Sequence, residues 1–270
     1  MRLRWIAFSL ITLCMIGGLV AGIYAPSIEV ALTAQPTNPT RAGSGLGTPP
    51  PSRSPTPGQP MPATPSATPP GNVSVLALDT FHRAAQVFWG TASDGHTWDG
   101  DANSIEVFSV AQNSGLIANG QGAFNAILGP VTADAEAVVS ATINHFAAND
   151  VVNLGVALRW TDSKNWYKAL INGSQLQILS RVQGVTKTLA TLPFTARDGV
   201  SYTLRFRVMG ANLLAKTWQT GQPEPATWLL QATDTALTQG MGGIRVVLQS
   251  ATIIQVSSFL ETTLNTIEDV

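Results

Sequence analysis

Between Val73 and Thr262 apolar side chains recur at every second position, and this period limits what the chain can fold into more than any other feature. Val152, Leu154, Val156, Leu158 and Trp160 project to one side, while Asn153, Gly155, Ala157 and Arg159 project to the other. Tyr202, Leu204, Phe206 and Val208 repeat the pattern against Thr203, Arg205 and Arg207, as do Ile244, Val246 and Leu248 against Arg245, Val247 and Gln249. Nine further runs read as strands: 105–110, 121–128, 134–144, 165–172, 175–182, 185–191, 212–219, 226–232 and 252–260. Asn172-Gly173 and Gln183-Gly184 fall between paired runs and read as hairpin turns. No segment of this region carries a sustained helical stripe. Short strands joined by tight turns predict an all-β domain over residues 73–262, two antiparallel sheets stacked as a sandwich.

Several pieces of this region occur in a telling order. They are Asp79-Thr-Phe-His-Arg83, Trp89-Gly-Thr-Ala-Ser-Asp-Gly-His-Thr-Trp98, Ala157-Leu-Arg-Trp160, Asn165-Trp-Tyr-Lys-Ala169, Tyr202-Thr-Leu-Arg-Phe-Arg-Val208, Ala215-Lys-Thr-Trp218 and Glu224-Pro-Ala-Thr-Trp228. As a set, spanning 77–260, they resemble the concanavalin A-like lectin/glucanase domains of exported bacterial proteins, the laminin-G-like group. The resemblance implies a jelly-roll sandwich. It also implies a superfamily of sugar binders, adhesion modules and glycosidases, among which fold alone does not choose.

The N-terminus decides where such a domain is expected to reside. Residues 5–25 carry no charge and follow Met-Arg-Leu-Arg. As a helix they would rise about 32 Å, enough to cross a bilayer's hydrocarbon core. Arg2 and Arg4 orient residues 1–4 to the cytoplasm, which places the rest of the chain outside the cell. A cleaved signal peptide with secretion is the alternative. The apolar run exceeds a usual signal core of about 7–15 residues, and Pro26 directly follows Ala25. Ile11-Thr12-Leu13 lacks the small residues of a lipobox before Cys14, the chain's single cysteine. No intrachain disulfide is therefore possible, and the domain must be held by its core.

Residues 26–72 form a linker. From Gln35 to Asn72 lie twelve of the seventeen prolines, with Thr, Ser, Gly and Ala and only Arg41 and Arg53 charged. That composition buries too little apolar area to offset ordering entropy and predicts an extended, disordered stalk of up to about 120 Å. Residues 263–270 read as a C-terminal tail.

Candidate chemistry is sparse. The glucanases that the resemblance evokes place carboxylates in a Glu-x-Asp-x-x-Glu pattern. The nearest match, Asp134-Ala-Glu136, has Val139 where the third acid belongs. His82, His96 and His145 lack ligand spacing, and no Gly-x-Ser-x-Gly or phosphate loop opens a helix. The expectation is a non-catalytic module. Asp99, Asp101 and Asn103 alternate like the oxygen ligands of a calcium loop, but Ser104 and Val110 stand where the loop's Gly and Glu belong. No cofactor is predicted, with structural calcium as the alternative.

For binding, Trp98 offers an indole face to a sugar ring, flanked by Asp99, Asp101 and Asn103 as hydroxyl partners; packing under its loop is the competing role. Trp166 and Trp218 share faces with Lys168 and Lys216 and suit an open sheet surface. Arg159, Lys168, Arg205, Arg207, Lys216 and Arg245 all fall opposite the core phase, and would form one basic surface if their strands were neighbours. An ordinary polar outer face is the other reading. Residues 73–270 hold eleven basic and fifteen acidic side chains, a net −4 that argues against a nucleic-acid partner. The leading expectation is therefore an anchored, exported carbohydrate binder. A structural or adhesion module of the envelope is the alternative, and a glycosidase a distant third.

Overall fold

The computed structural model describes residues 73–264. The expected anchor at 5–25, the linker at 26–72 and the tail beyond residue 264 lie outside the described residues. The strands are β1 (Val75–Asp79), β2 (Gln86–Val87), β3 (Asp99–Gly100), β4 (Phe108–Ala111), β5 (Ser114–Ala118), β6 (Gly122–Thr132), β7 (Ala135–Ile143) and β8 (Leu154–Asp162). They continue with β9 (Asn165–Ile171), β10 (Gln175–Val182), β11 (Val185–Pro193), β12 (Ser201–Met209), β13 (Asn212–Gln219), β14 (Leu230–Thr233), β15 (Gly240–Leu248) and β16 (Ile253–Thr262). One 3₁₀ turn, Asp101–Asn103, is the sole helical element among the described residues.

The strands form two antiparallel sheets. One has nine strands in the order β14-β13-β12-β7-β16-β5-β4-β2, with β1 added beside β16; the other has seven, ordered β11-β10-β9-β8-β15-β6-β3. Their inner faces carry the expected phases: Leu154, Val156 and Leu158, with Tyr202, Leu204, Phe206 and Val208 and with Ile244, Val246 and Leu248, all join one core. Both hairpins form where Gly173, Gln183 and Gly184 adopt positive φ, as tight turns require.

Two elements depart from the alternation. At Arg159 φ is +49° and the β8 register slips, so Trp160 is only half-buried and lies outside the core that its spacing predicted. Where the sandwich begins and ends, β1 pairs with the last half of β16, and Ser74 and Thr263 exchange hydrogen bonds (2.9 Å each way between N–H and oxygen).

The segment between β1 and β4 closes one side of the sandwich. Its β2 joins the nine-stranded sheet and its β3 the seven-stranded one. Between them Phe81, Trp89, Trp98, Phe108 and Phe259 interlock, with ring centroids 4.8–6.1 Å apart. Beneath lies the fully buried carboxylate of Asp79. It accepts hydrogen bonds from Trp98 Nε1 (2.7 Å), Arg83 Nη1 and Nη2 (2.7 and 3.0 Å), the Phe81 N–H (2.8 Å) and Ser93 Oγ (3.0 Å). Asp79→Ala strands the Arg83 charge and the Trp98 N–H, and a loss of about 3–5 kcal/mol in denaturant unfolding is expected; a change below about 1 kcal/mol would refute this role.

Glu261 is the opposite case. Its side chain enters the interior at 0% exposure, and neither carboxyl oxygen has a hydrogen-bond partner. Gly242 leaves room for it, since a Cβ there would fall 2.3 Å from Glu261 Oε2. Burial pushes the carboxyl up to about 8. Between the ordinary value of 4.5 and about 8 the unfolded chain has released this proton while the folded one keeps it, so stability falls as pH rises through that window. The unfolding midpoint of Glu261→Gln should therefore decline less between pH 4.5 and 8 than that of the parent. Parallel curves would contradict the assignment.

Candidate functional site

Six cations that the sequence placed on one phase are divided by the fold into three settings. Arg205 and Arg207 on β12 and Lys216 on β13 lie on the outer face of the nine-stranded sheet. Arg205 pairs with Glu136 and, at 2.9 Å, with Glu224; Arg207 pairs with Glu136 (2.8 Å) and Lys216 with Glu224 (2.7 Å). Arg207 and Lys216 also lie over the Trp228 ring at 5.0 and 4.8 Å. On this face each of the three cations has a carboxylate partner, Glu136 or Glu224. A cleft of about 250 Å³ opens beside it, lined by Glu136, Arg205, Arg207, Val73 and Leu264.

Arg159 stands alone at the β8 bulge. Its guanidinium donates to the carbonyls of Ala133 (2.7 Å), Leu237 (2.6 Å) and Gly210 (2.8 Å) and to Asp134 Oδ1 (3.0 Å). It is buried and ties three loops to the sheet, so the expectation that it faces a ligand gives way to a structural role. Asp134 and Glu136, the acids nearest to a hydrolase pattern, are thus both engaged by arginines.

Lys168 and Arg245 share the third setting, the outer face of the seven-stranded sheet. Tyr167, Ala169 and Ile171 of β9 enter the core, which leaves Trp166, Lys168 and Leu170 on the outer side. Gly155 and Ala157 on β8 and Gly243 on β15 form a floor of small residues between them. Across that floor Arg245 reaches from β15 over β8 to β9, where its guanidinium carbon lies 4.8 Å from the Trp166 ring centroid. Lys168 runs the other way and donates to Asn153 Oδ1. A Cβ on Gly155 would fall 2.0 Å from Lys168 Cε.

Asn125 on β6 accepts from Arg245, and Arg181 on β10 faces Trp166 across the β9–β10 ladder. Among the described residues no carboxylate pairs with Lys168, Arg181 or Arg245. Burial, reinforced by the Arg245 charge, holds the Lys168 ammonium well below its ordinary value. Burial and the Arg181 charge lower Arg245, against a weaker pull from Asp101.

The expected sugar-stacking loop is built differently from its sequence reading. Trp98 is 1% exposed and packs in the aromatic core, so its indole presents no open face; an N–H with a buried carboxylate partner outweighs exposure. Asp101 Oδ2 accepts from the N–H and Nδ2 of Asn125 (2.8 and 3.1 Å). Asn103 bridges the Gly90 N–H (2.6 Å) and the Trp98 carbonyl (2.7 Å), and Asp99 accepts from the Gly100 N–H (2.6 Å). These oxygens organise the loop rather than converge on an ion, and among the described residues no group of three or more His, Cys, Asp or Glu side chains is placed to hold a metal. Trp166 is buried beneath Arg245, whereas Trp218 is half-buried on the other sheet. His82 is exposed, and His96 and His145 contact Asp94 (3.0 Å) and Asp198 (2.6 Å). Arg181, Asn125 and Asn153 were missed in the sequence; the period-two phase of their strands was the available signal.

No protein-family model matches the sequence, and no curated protein matches it. Among solved structures, the GH43 protein BlXynB of Bacillus licheniformis is similar at a TM-score of 0.53 and 13% identity, over 69% of this chain and 39% of that one. A xylan beta-1,4-xylosidase of Bacillus halodurans is similar at 0.50 and 12%, over 74% and 40%. The carbohydrate-binding module CBM66 of Bacillus subtilis is similar at 0.48 and 14%, over 60% and 94%. The chain therefore spans about two fifths of the two longer proteins. At these identities the likeness to the two longer proteins establishes a shared β-sandwich fold.

Gly155→Ala should unseat Lys168 and press on the Ala169 and Arg245 carbonyls, each 2.9 Å from the new methyl. A cost of about 1–3 kcal/mol in thermal or denaturant unfolding is expected. Unchanged stability would show that the small-residue floor is not required.

Proposed function

We propose that this chain is an exported, membrane-anchored, non-catalytic module of the concanavalin A-like lectin/glucanase group, and that it binds carbohydrate on the outer face of its seven-stranded sheet. The observation that carries the reading is the contrast between the two outer faces. One is closed by its own ion pairs, while the other holds Lys168, Arg181 and Arg245 with amides Asn125 and Asn153 and no ion-paired carboxylate. Guanidinium and amide groups that keep N–H donors unused are suited to sugar hydroxyls. Solved proteins with this sandwich include ones named for xylan cleavage and for carbohydrate binding, which is in keeping with the proposal. The charge-free run at 5–25 after Arg2 and Arg4 supports the anchor and an external domain.

Burial of both Trp98 and Trp166 favours a second reading, a protein-contact or adhesion module, since neither indole is open for stacking. A glycan array probed with the full chain in neutral detergent separates the two. Carbohydrate binding predicts signal on polysaccharides that falls about tenfold in Asn125→Ala and is unaffected by Lys216→Ala. Silence across neutral and acidic glycans, with a protein partner captured in crosslinked membranes, supports the second reading. For localisation, the full-length chain should remain in washed membranes and be cleaved by protease added from outside; a shortened soluble form would establish secretion instead.

A further inference from the structure

The Trp166 indole on the seven-stranded sheet is covered, so recognition around it must rest on charge more than on stacking. Arg245 is 9% exposed and lies over the Trp166 ring, while Trp166 itself is 3% exposed. Beside that ring lie Arg245 and Arg181, the cross-strand neighbour of Trp166, while Lys168, two residues further along β9, turns away toward Asn153. Burial first, and after it the neighbouring like charge, lowers both Lys168 and Arg245 from their ordinary values. The patch therefore has a standing electrostatic cost that an incoming anion would relieve.

Its donors are also incompletely used. Arg245 carries five N–H groups and makes one side-chain hydrogen bond, to Asn125. Lys168 has three and makes one, to Asn153. Arg181 donates from Nη1 to Thr186 Oγ1 at 3.1 Å, and its Nε is buried with no partner. The acid nearest in effect, Asp101, holds its Oδ2 on Asn125 and so acts through that residue. On the opposite sheet Arg205, Arg207 and Lys216 each have a carboxylate partner, so basic side chains are not left unpaired throughout this protein.

The geometry points to a site for the anionic groups of an acidic polysaccharide, uronate carboxylate or sulfate ester, seated between Arg245 and Arg181 above Trp166. This rests on the carbohydrate-binding reading and narrows it. A planar guanidinium matches the two oxygens of a carboxylate or sulfate in a paired arrangement that a neutral hydroxyl lacks. Lys168, beneath Arg245, contributes field and position. Its head is sealed from solvent at 2% exposure, so it is not a contact residue.

Isothermal titration of the full chain in neutral detergent tests this with polygalacturonate, a sulfated galactan and neutral xylan as probes. The expected result is that at least one acidic polymer binds ten or more times tighter than xylan, with affinity falling as salt is raised to about 0.5 M. Arg245→Gln and Arg181→Gln should each weaken the acidic polymer at least tenfold, and by a clearly larger factor than they weaken xylan. Arg181 is half-exposed, so it carries the test should Arg245→Gln fold poorly. Preference for the uronate or the sulfated polymer identifies which anion is read. Equal binding of xylan, or acidic binding that survives Arg181→Gln, overturns the anionic assignment and leaves the carbohydrate reading standing. Absence of binding to all three polymers sinks both.

Discussion

The sandwich depends on a single buried carboxylate. Asp79 terminates β1 and enters the interior, a placement that several direct hydrogen bonds must offset. Its partners come from the turn that follows, Phe81 and Arg83, and from the long connection beyond, Ser93 and Trp98. A connection of that length with so little regular structure needs an internal anchor. Asp79 supplies it, and the aromatic rings assembled around Trp89 and Trp98 then seal the side of the sandwich where β2 and β3 join opposite sheets. Without a disulfide within reach, polar and aromatic fastening at this edge takes the role that a covalent bridge plays in disulfide-stapled domains.

The two outer faces then acquire different characters from similar sequences. Arg205 and Arg207 fall beside Glu136 because β7 pairs with β12, and each cation finds an acid one strand away. Lys168 and Arg245 fall on strands whose outward neighbours are Gly155, Ala157 and Gly243, which offer neither charge nor bulk. Their long side chains lie across the small residues, Arg245 toward Trp166 and Lys168 toward Asn153. The absence of side chains on the floor gives this face both its packing and its unbalanced charge.

Much of the fold was legible in the chain. Alternation at Leu154–Leu158, Tyr202–Val208 and Ile244–Leu248 marks strands because one face of each is dry, and Gln183-Gly184 marks a turn because both residues take positive φ. The short strands β2, β3 and β5 were not legible, since they are held by tertiary pairing over too few residues to show a period. The Trp160 phase broke for the same kind of reason: Arg159 enters the left-handed region to reach the carbonyls of Ala133, Leu237 and Gly210, contacts far away in sequence. For the candidate site, residue phase was correct for Lys168 and Arg245. The stacking residue was not, because a Trp in a polar loop reads the same whether its N–H meets solvent or Asp79.

Sequence alone determined the all-β class, the outward phase of every cation in the set but Arg159, and the impossibility of an intrachain disulfide. These follow from local geometry and counting, since a strand's side chains alternate whatever its neighbours are. Only tertiary structure decided which cations are neutralised and which are left to gather over Trp166. Strand order is set by pairing between distant segments, and an ion pair or an unbalanced charge exists only once those segments are adjacent.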